Sequence, residues 1–162
     1  MMFREMRRKN QILTDEENRQ ILEQGTSGVL ALFGDEGYPY ALPISYVYED
    51  GRIFFHSAVT GHKIDAVKNC PKASFCVIAQ DQVMPEEYTT YYKSVIAFGV
   101  VRIIEEEGEK RHAIERFARK YHPADTESGR TQVISKYWNN ISMIELEVEH
   151  MTGKKAAGLM KT

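Results

Sequence analysis

The sequence is poor in the residues that would give it thiol or metal chemistry of its own. Its 162 residues hold two cysteines, Cys70 and Cys76, which form neither a CxxC pair nor part of a set of ligand-spaced thiols. Cys76 lies in an apolar run and reads as inert core rather than as a nucleophile, because reactive thiols need an electropositive, exposed setting. The five histidines, at positions 56, 62, 112, 122 and 150, form no HExxH and have no partnering cysteines, so no metal site is expected. No GxGxxG leads from a strand into a helix, and no GxxxxGK[ST] or GxSxG occurs, which argues against dinucleotide folds, P-loops and serine hydrolases.

Long apolar runs are missing too. Nothing approaches the roughly 18 apolar residues of a membrane span. The basic start, Met1 to Asn10, has no apolar stretch behind it and is read as neither signal peptide nor anchor. Charge of one sign is also lacking: 21 Lys and Arg face 23 Asp and Glu, so no global field selects nucleic acid or an anionic membrane. A cytoplasmic, single-domain protein spanning 1–162, with a core over about 8–155, is the expectation.

What the chain does have is strand pattern. Thr14 with Glu17 makes a capping box, and Gly25 is placed to end that first helix. Val29–Phe33 is an apolar run, and Asp35-Glu36-Gly37 a turn. Tyr38–Tyr48 runs extended with Leu42, Ile44, Tyr46 and Tyr48 on one face. Asp50-Gly51 is the strongest hairpin signal, with Ile53–His56 returning. A short helix follows over Gly61–Asn69, stopped by Pro71. Ala73–Ala79 and Val95–Ile104 are strands, the latter with Gly99 marking a bulge. Glu109–Tyr121 is an amphipathic helix, Val133–Trp138 another helical turn or two, and Ser142–Glu149 a final half-buried strand, although Ile144 breaks its alternation. About six strands without long crossovers leave two exposed edges unless they close, so a mainly β fold with an antiparallel barrel and three to four short helices is expected.

One segment stands out chemically. His62 and Lys63 sit in the first turn of a helix, where the free N–H groups and the helix dipole disfavour cations. A bound phosphate would resolve the conflict, held by helix amides, a hydroxyl of Ser57 or Thr60, and Lys63, with Gly61 allowing close approach. The plain alternative is a surface turn neutralised by Asp65 and solvent. A second candidate is Pro43-Ile44-Ser45-Tyr46, with Tyr91, Tyr92 and Ser94, whose apolar walls and few hydroxyls would suit a flat heteroaromatic ring. Strand tyrosines also serve simply as packing, and Trp138 reads either as a ring cover or as filler of a seam.

The runs Tyr40-Ala41-Leu42-Pro43-Ile44-Ser45-Tyr46, Phe54-Phe55-His56-Ser57-Ala58 and Gly61-His62-Lys63 resemble the pyridoxamine 5′-phosphate oxidase-like FMN-binding split barrels. More narrowly, the sequence resembles the branch containing nitroimidazole resistance proteins, with Tyr92-Lys93-Ser94-Val95-Ile96-Ala97-Phe98-Gly99 and Met151-Thr152-Gly153-Lys154-Lys155 also similar to that branch. The resemblance implies a six-stranded antiparallel split barrel that forms a homodimer, with FMN at the subunit interface. It implies that His56, Ser57 and Lys63 hold the FMN phosphate with His62 nearby. Pro43, Ile44, Ser45 and Tyr46 would run along the isoalloxazine and ribityl chain, and Ser94 and Val95 would complete the pocket, in one arrangement from the other subunit. An FMN-dependent reductase of a small molecule, such as a nitroaromatic, with NAD(P)H as donor, is the implied activity; no catalytic side chain is assigned. A flavin store or redox sensor without turnover is the alternative. Vitamin B6 oxidase activity lacks a second phosphate-binding basic set, and haem binding would need His56 or His150 as axial ligand.

Overall fold

The computed structural model describes residues 2–161. Seven antiparallel strands form one sheet in the order β2-β1-β5-β6-β7-β4-β3, with four α-helices around it. The strands are β1 (Ser27–Phe33), β2 (Pro39–Ser45), β3 (Val47–Glu49), β4 (Arg52–Ser57), β5 (Lys72–Met84), β6 (Thr89–Ile103) and β7 (Ser142–Lys155). The helices are α1 (Asp15–Gln24), α2 (His62–Asn69), α3 (Glu107–Tyr121) and α4 (Glu127–Tyr137). No helix of the described residues is long and apolar enough to cross a membrane.

The strand count corrects the expected six, and the hydrogen-bonded order is open rather than a closed ring. Both differences have one cause. The run expected to be a single strand, Tyr38–Tyr48, breaks at Tyr46: β2 pairs with β1, whereas β3 pairs with β4 at the far edge of the sheet. The two edge strands are therefore joined through a single residue, and the sheet curls until its ends are linked by chain rather than by a ladder. At the break, Tyr46 N–H bonds the Tyr121 hydroxyl at 3.1 Å, and Tyr46 C=O accepts from that hydroxyl at 2.8 Å and from Lys120 Nζ at 3.1 Å. Those bonds meet the requirement that buried backbone groups be satisfied where the ladder fails.

Other local features follow the chemistry of the sequence. The capping box of Thr14 and Glu17 forms, with bonds of 2.7 and 3.1 Å. Asp50 and Gly51 both take positive φ, 47° and 79°, as a tight hairpin turn demands. Gly99 lies at a register shift, its partner being Val148 while Phe98 faces His150, so the extra residue is Glu149 on β7. A Cβ at Gly99 would stand 2.0 Å from Glu147 O, which explains the glycine.

Two cores result. Inside the curled sheet, Leu30, Ile53, Phe55, Phe75, Val95, Ala97 and Leu146 pack with Tyr46, joined by Leu22 of α1 and by Ile64, Ala66 and Val67 of α2. Leu42, Ile44 and Tyr48 pack against this cluster, as their shared face predicts. Phe75 meets Tyr46 and Phe55 edge-on at 4.9 and 5.1 Å. A second core lies outside β4 and the start of β7, where Phe54 and Met143 meet Ile114 and Phe117 of α3 and Ile134 of α4. The start of β7 is thus covered on both faces, which is why Ile144 breaks the alternation. Glu145, 5% exposed, survives there because Arg102 grips it with two bonds of 3.2 Å.

Strands β5 and β6 outrun their expected limits and form a long hairpin tipped by Pro85–Tyr88, and β7 continues through Lys155 instead of ending at Glu149. Cys76 is corrected too: it is half-buried on the outer face of the sheet, in the row Val29–Cys76–Ile96, and desolvation there holds its thiol in the protonated form by raising its pKa. Trp138 fills a seam at the outer core, with Lys110 Nζ 4.5 Å above its ring.

Candidate functional site

Strand β4 carries the chemistry to its end and then turns through Ala58–Gly61 into α2. The period-2 alternation of β4 sends Ile53, Phe55 and Ser57 to the inner core and Phe54 and His56 outward. Ser57 is 6% exposed and pairs with Ser142, and its hydroxyl makes no hydrogen bond among the described residues. His56 meets Phe117 edge-on, with centroids 5.1 Å apart. Gly61 precedes α2 with φ of 132°, a conformation suited to glycine, and a Cβ there would meet nothing within 4 Å. No side chain caps the first N–H groups of α2.

Lys63 gives this corner a positive charge with no ion-pair partner among the described residues. Burial lowers the pKa of Lys63. Burial also lowers the pKa of His56, and the nearby charge of Lys63 lowers it further. Asp65, the expected neutraliser, forms no ion pair with Lys63 among the described residues; the helix instead opens on His62, which Asp35 approaches at 3.7 Å. The His62 ring stacks on Tyr40 of β2 at 3.9 Å and 21°, pinning α2 to the turn between β1 and β2. A helix start without a side-chain cap, a hydroxyl without a hydrogen-bond partner among the described residues and an unpaired lysine beside a histidine fit an anion carrying several acceptor oxygens.

Beside this corner, the β2 residues Pro43, Ile44 and Ser45 lie on an edge strand bonded only to β1, so alternate backbone groups point away from the ladder. Tyr46, in contrast, is fully buried, with its hydroxyl donating to Leu22 O at 2.7 Å, so its side chain belongs to the core. Desolvation pushes its phenol pKa well above the ordinary range.

Within one chain, Ser94 and Val95 are not brought to this corner. Ser94 pairs with Lys154 near the end of β7, whereas Ser57 pairs with Ser142 at its start. Val95 is fully buried in the inner core, and Ser94 faces the outer side of the sheet. Tyr91 bonds Glu87 at 2.8 Å, and Tyr92 lies under Lys154 at 5.8 Å, so both belong to the long hairpin. His150 stacks on Phe3 at 4.6 Å on that same outer side, seven positions along β7 from Met143, the ladder partner of His56.

The site also has members that the sequence pattern did not single out. Phe117, Tyr121 and Arg130, from the two outer helices, form a cleft with Ser45 and His56. The periodicity of α3 marked Phe117 and Tyr121 as apolar-face residues, and nothing in one sequence says that this face stands over β4.

Curled antiparallel sheet, inner and outer cores and a helix starting at the end of β4 define a protein of the split-barrel class. Its family follows from sequence: residues 14–155 match the pyridoxamine 5′-phosphate oxidase family, and the chain belongs to it. Solved structures agree on the fold. A candidate 5-nitroimidazole antibiotic resistance protein of Bacteroides thetaiotaomicron is 23% identical, with a TM-score of 0.75 over 89% of this chain and 86% of its own. A conserved hypothetical protein of Mycobacterium tuberculosis gives 0.82 at 17% identity, covering 96% and 93%. An FAD-binding protein of Mesorhizobium loti gives 0.65 at 20% identity, covering 90% and 97%. No curated protein matches the chain by sequence.

Proposed function

We propose that this chain binds FMN and works as an FMN-dependent oxidoreductase of a small molecule. The observation that carries the reading is the unpaired Lys63, with His56 beside it, at the uncapped start of α2, near the Ser57 hydroxyl, which makes no hydrogen bond among the described residues. FMN ends in a phosphate monoester, the group that such a corner fits. Lys63, Ser57 and the first amides of α2 hold the phosphate, His56 and His62 flank it, and the free edge of β2 at Pro43–Ser45 lies alongside the ribityl chain and ring. Family membership and the FAD-binding relative support a flavin in this position. When bound, FMN supplies the hydride and electron chemistry, and the protein supplies orientation and electrostatics.

The site is completed by a second copy of the chain. Val29, Ile78 and Ile96 are 40%, 64% and 38% exposed on the outer face of β1, β5 and β6, a run of large apolar side chains that a monomer seldom leaves bare. Ser94 lies on this same face, so pairing through it carries Ser94 toward the partner's flavin edge and accounts for its distance from Ser57 within one chain. The acceptor is a nitroaromatic or similar oxidised ring, by analogy with the relative from Bacteroides thetaiotaomicron, and the donor is NAD(P)H.

The test is the consumption of NADH or NADPH by FMN-loaded protein with a nitroimidazole as acceptor. Acceptor-dependent turnover supports the oxidoreductase. Tight FMN binding with no turnover for either donor points instead to a flavin store or sensor.

A further inference from the structure

Between the sheet and the two outer helices lies a cleft of about 480 Å³ that the phosphate corner leaves free. Ser45 and His56 line it from the sheet, Phe117 and Tyr121 from α3, and Val133 and Ile134 from α4. The rings of Phe117 and Tyr121 stack at 5.5 Å and 14°, so α3 presents two nearly parallel aromatic rings side by side.

Apart from histidines, two charged side chains line the cleft, Asp125 and Arg130. Asp125 is occupied locally: its Oδ1 accepts Thr126 N–H at 2.8 Å, and its Oδ2 stands 3.7 Å from His122 Nδ1. Arg130 is half-buried, and its backbone N–H bonds Thr126 O at 3.0 Å. Its guanidinium has no hydrogen bond or ion pair among the described residues. A half-buried guanidinium with five donors and no protein partner among the described residues is well placed to meet a planar anion.

The geometry points to this cleft as a binding site for a small aromatic monocarboxylate, with the ring among Phe117, Val133 and Ile134 and the carboxylate on Arg130. The volume is within the range of small-ligand sites. A single free guanidinium matches a single carboxylate, and the nearby Asp125 carboxylate opposes the second charge that a phosphate ester would bring. Because Ser45 borders both the cleft and the β2 edge assigned to the ribityl chain and ring, the ligand is placed where a substrate would meet the flavin. That role rests on the flavin reading, whereas occupancy of the cleft does not.

Calorimetric titration of the full chain with 1-naphthoate and with its neutral analogue 1-naphthamide tests this. The acid is expected to bind roughly ten- to a hundredfold more tightly than the amide, as a charge-assisted contact implies. Arg130→Gln is expected to abolish that preference while leaving the amide's affinity unchanged, and Ala118→Leu, at a residue of α3 that lines the cleft, to weaken both ligands. Equal affinities of acid and amide in the wild type, or an undiminished preference in Arg130→Gln, would overturn the assignment. FMN titration of the same preparations separates the two readings. Arg130-dependent naphthoate binding without FMN binding keeps the cleft and sinks the flavin reading, whereas FMN binding without discrimination between acid and amide sinks the cleft.

Discussion

The phenolic oxygen of Tyr121 is bonded to both backbone groups of Tyr46, taking its N–H at 3.1 Å and facing its C=O at 2.8 Å. The same hydroxyl also reaches Thr26 O, and the neighbouring Lys120 Nζ bonds Gly25 O and Tyr46 O and lies 4.3 Å from the Tyr46 ring. The last turn of α3 thus replaces the missing ladder at the one residue where the sheet changes edges, and it fixes the end of β2, where Ser45 borders the site.

Tyr121→Phe removes the hydroxyl but keeps the ring. It should cost about 1 to 3 kcal/mol, since Tyr46 N–H is left with only a 3.4 Å bond to Thr26 O and its C=O with Lys120 alone. Urea unfolding measures the loss, and a change below about 0.5 kcal/mol would mean that water serves the break equally well.

Gly99→Ala places a Cβ against Glu147 O, a backbone atom that cannot swing aside. A loss of about 1 to 3 kcal/mol is expected, with a matching fall in Tm. A neutral substitution would show that the bulge at Glu149 relaxes freely.

The folded pKa of His56 lies below its ordinary value of 6.5, chiefly through burial and then through the charge of Lys63. The neutral ring is the form the fold favours. Its contribution to stability is therefore complete above about pH 6.5 and is lost as pH falls through that value toward the lowered one. Ring-proton NMR should give a midpoint below 6.5 in the free protein, rising when FMN is added, because an anion favours the imidazolium. A free-protein midpoint at or above 6.5 would contradict the cationic corner.

Ile78→Glu places a charge on the bare outer face of β5. If that face joins two copies, size-exclusion chromatography with light scattering should show a dimer for the wild type and a monomer for the variant. A monomeric wild type would remove Ser94 from the proposed site.

Much of this was legible in the residues. The Asp50-Gly51 turn, the Thr14 capping box and the Gly99 bulge each rest on chemistry within a few positions, and each forms. The break at Tyr46 does not, because its partner Tyr121 is 75 residues away and nothing local marks it. The strand count failed for that reason alone. The extra length of β5 and β6 was hidden because the polar residues 80–93 form a hairpin that projects beyond the core, where no alternation is enforced. The corner at Ser57 and Lys63 was visible as a misplaced pair of cations. Its relation to the outer helices was not, since period-2 alternation tells which way His56 faces but not what it meets.

The central claim is that the corner at the start of α2 holds a flavin phosphate, and the most direct test compares FMN with riboflavin, which lacks the phosphate, by absorption and fluorescence titration. The wild type should bind FMN more tightly than riboflavin by roughly ten- to a hundredfold. Lys63→Ala and Ser57→Ala should each narrow that gap by weakening FMN alone. Equal affinity for the two flavins in the wild type, or no binding of either, would contradict the account.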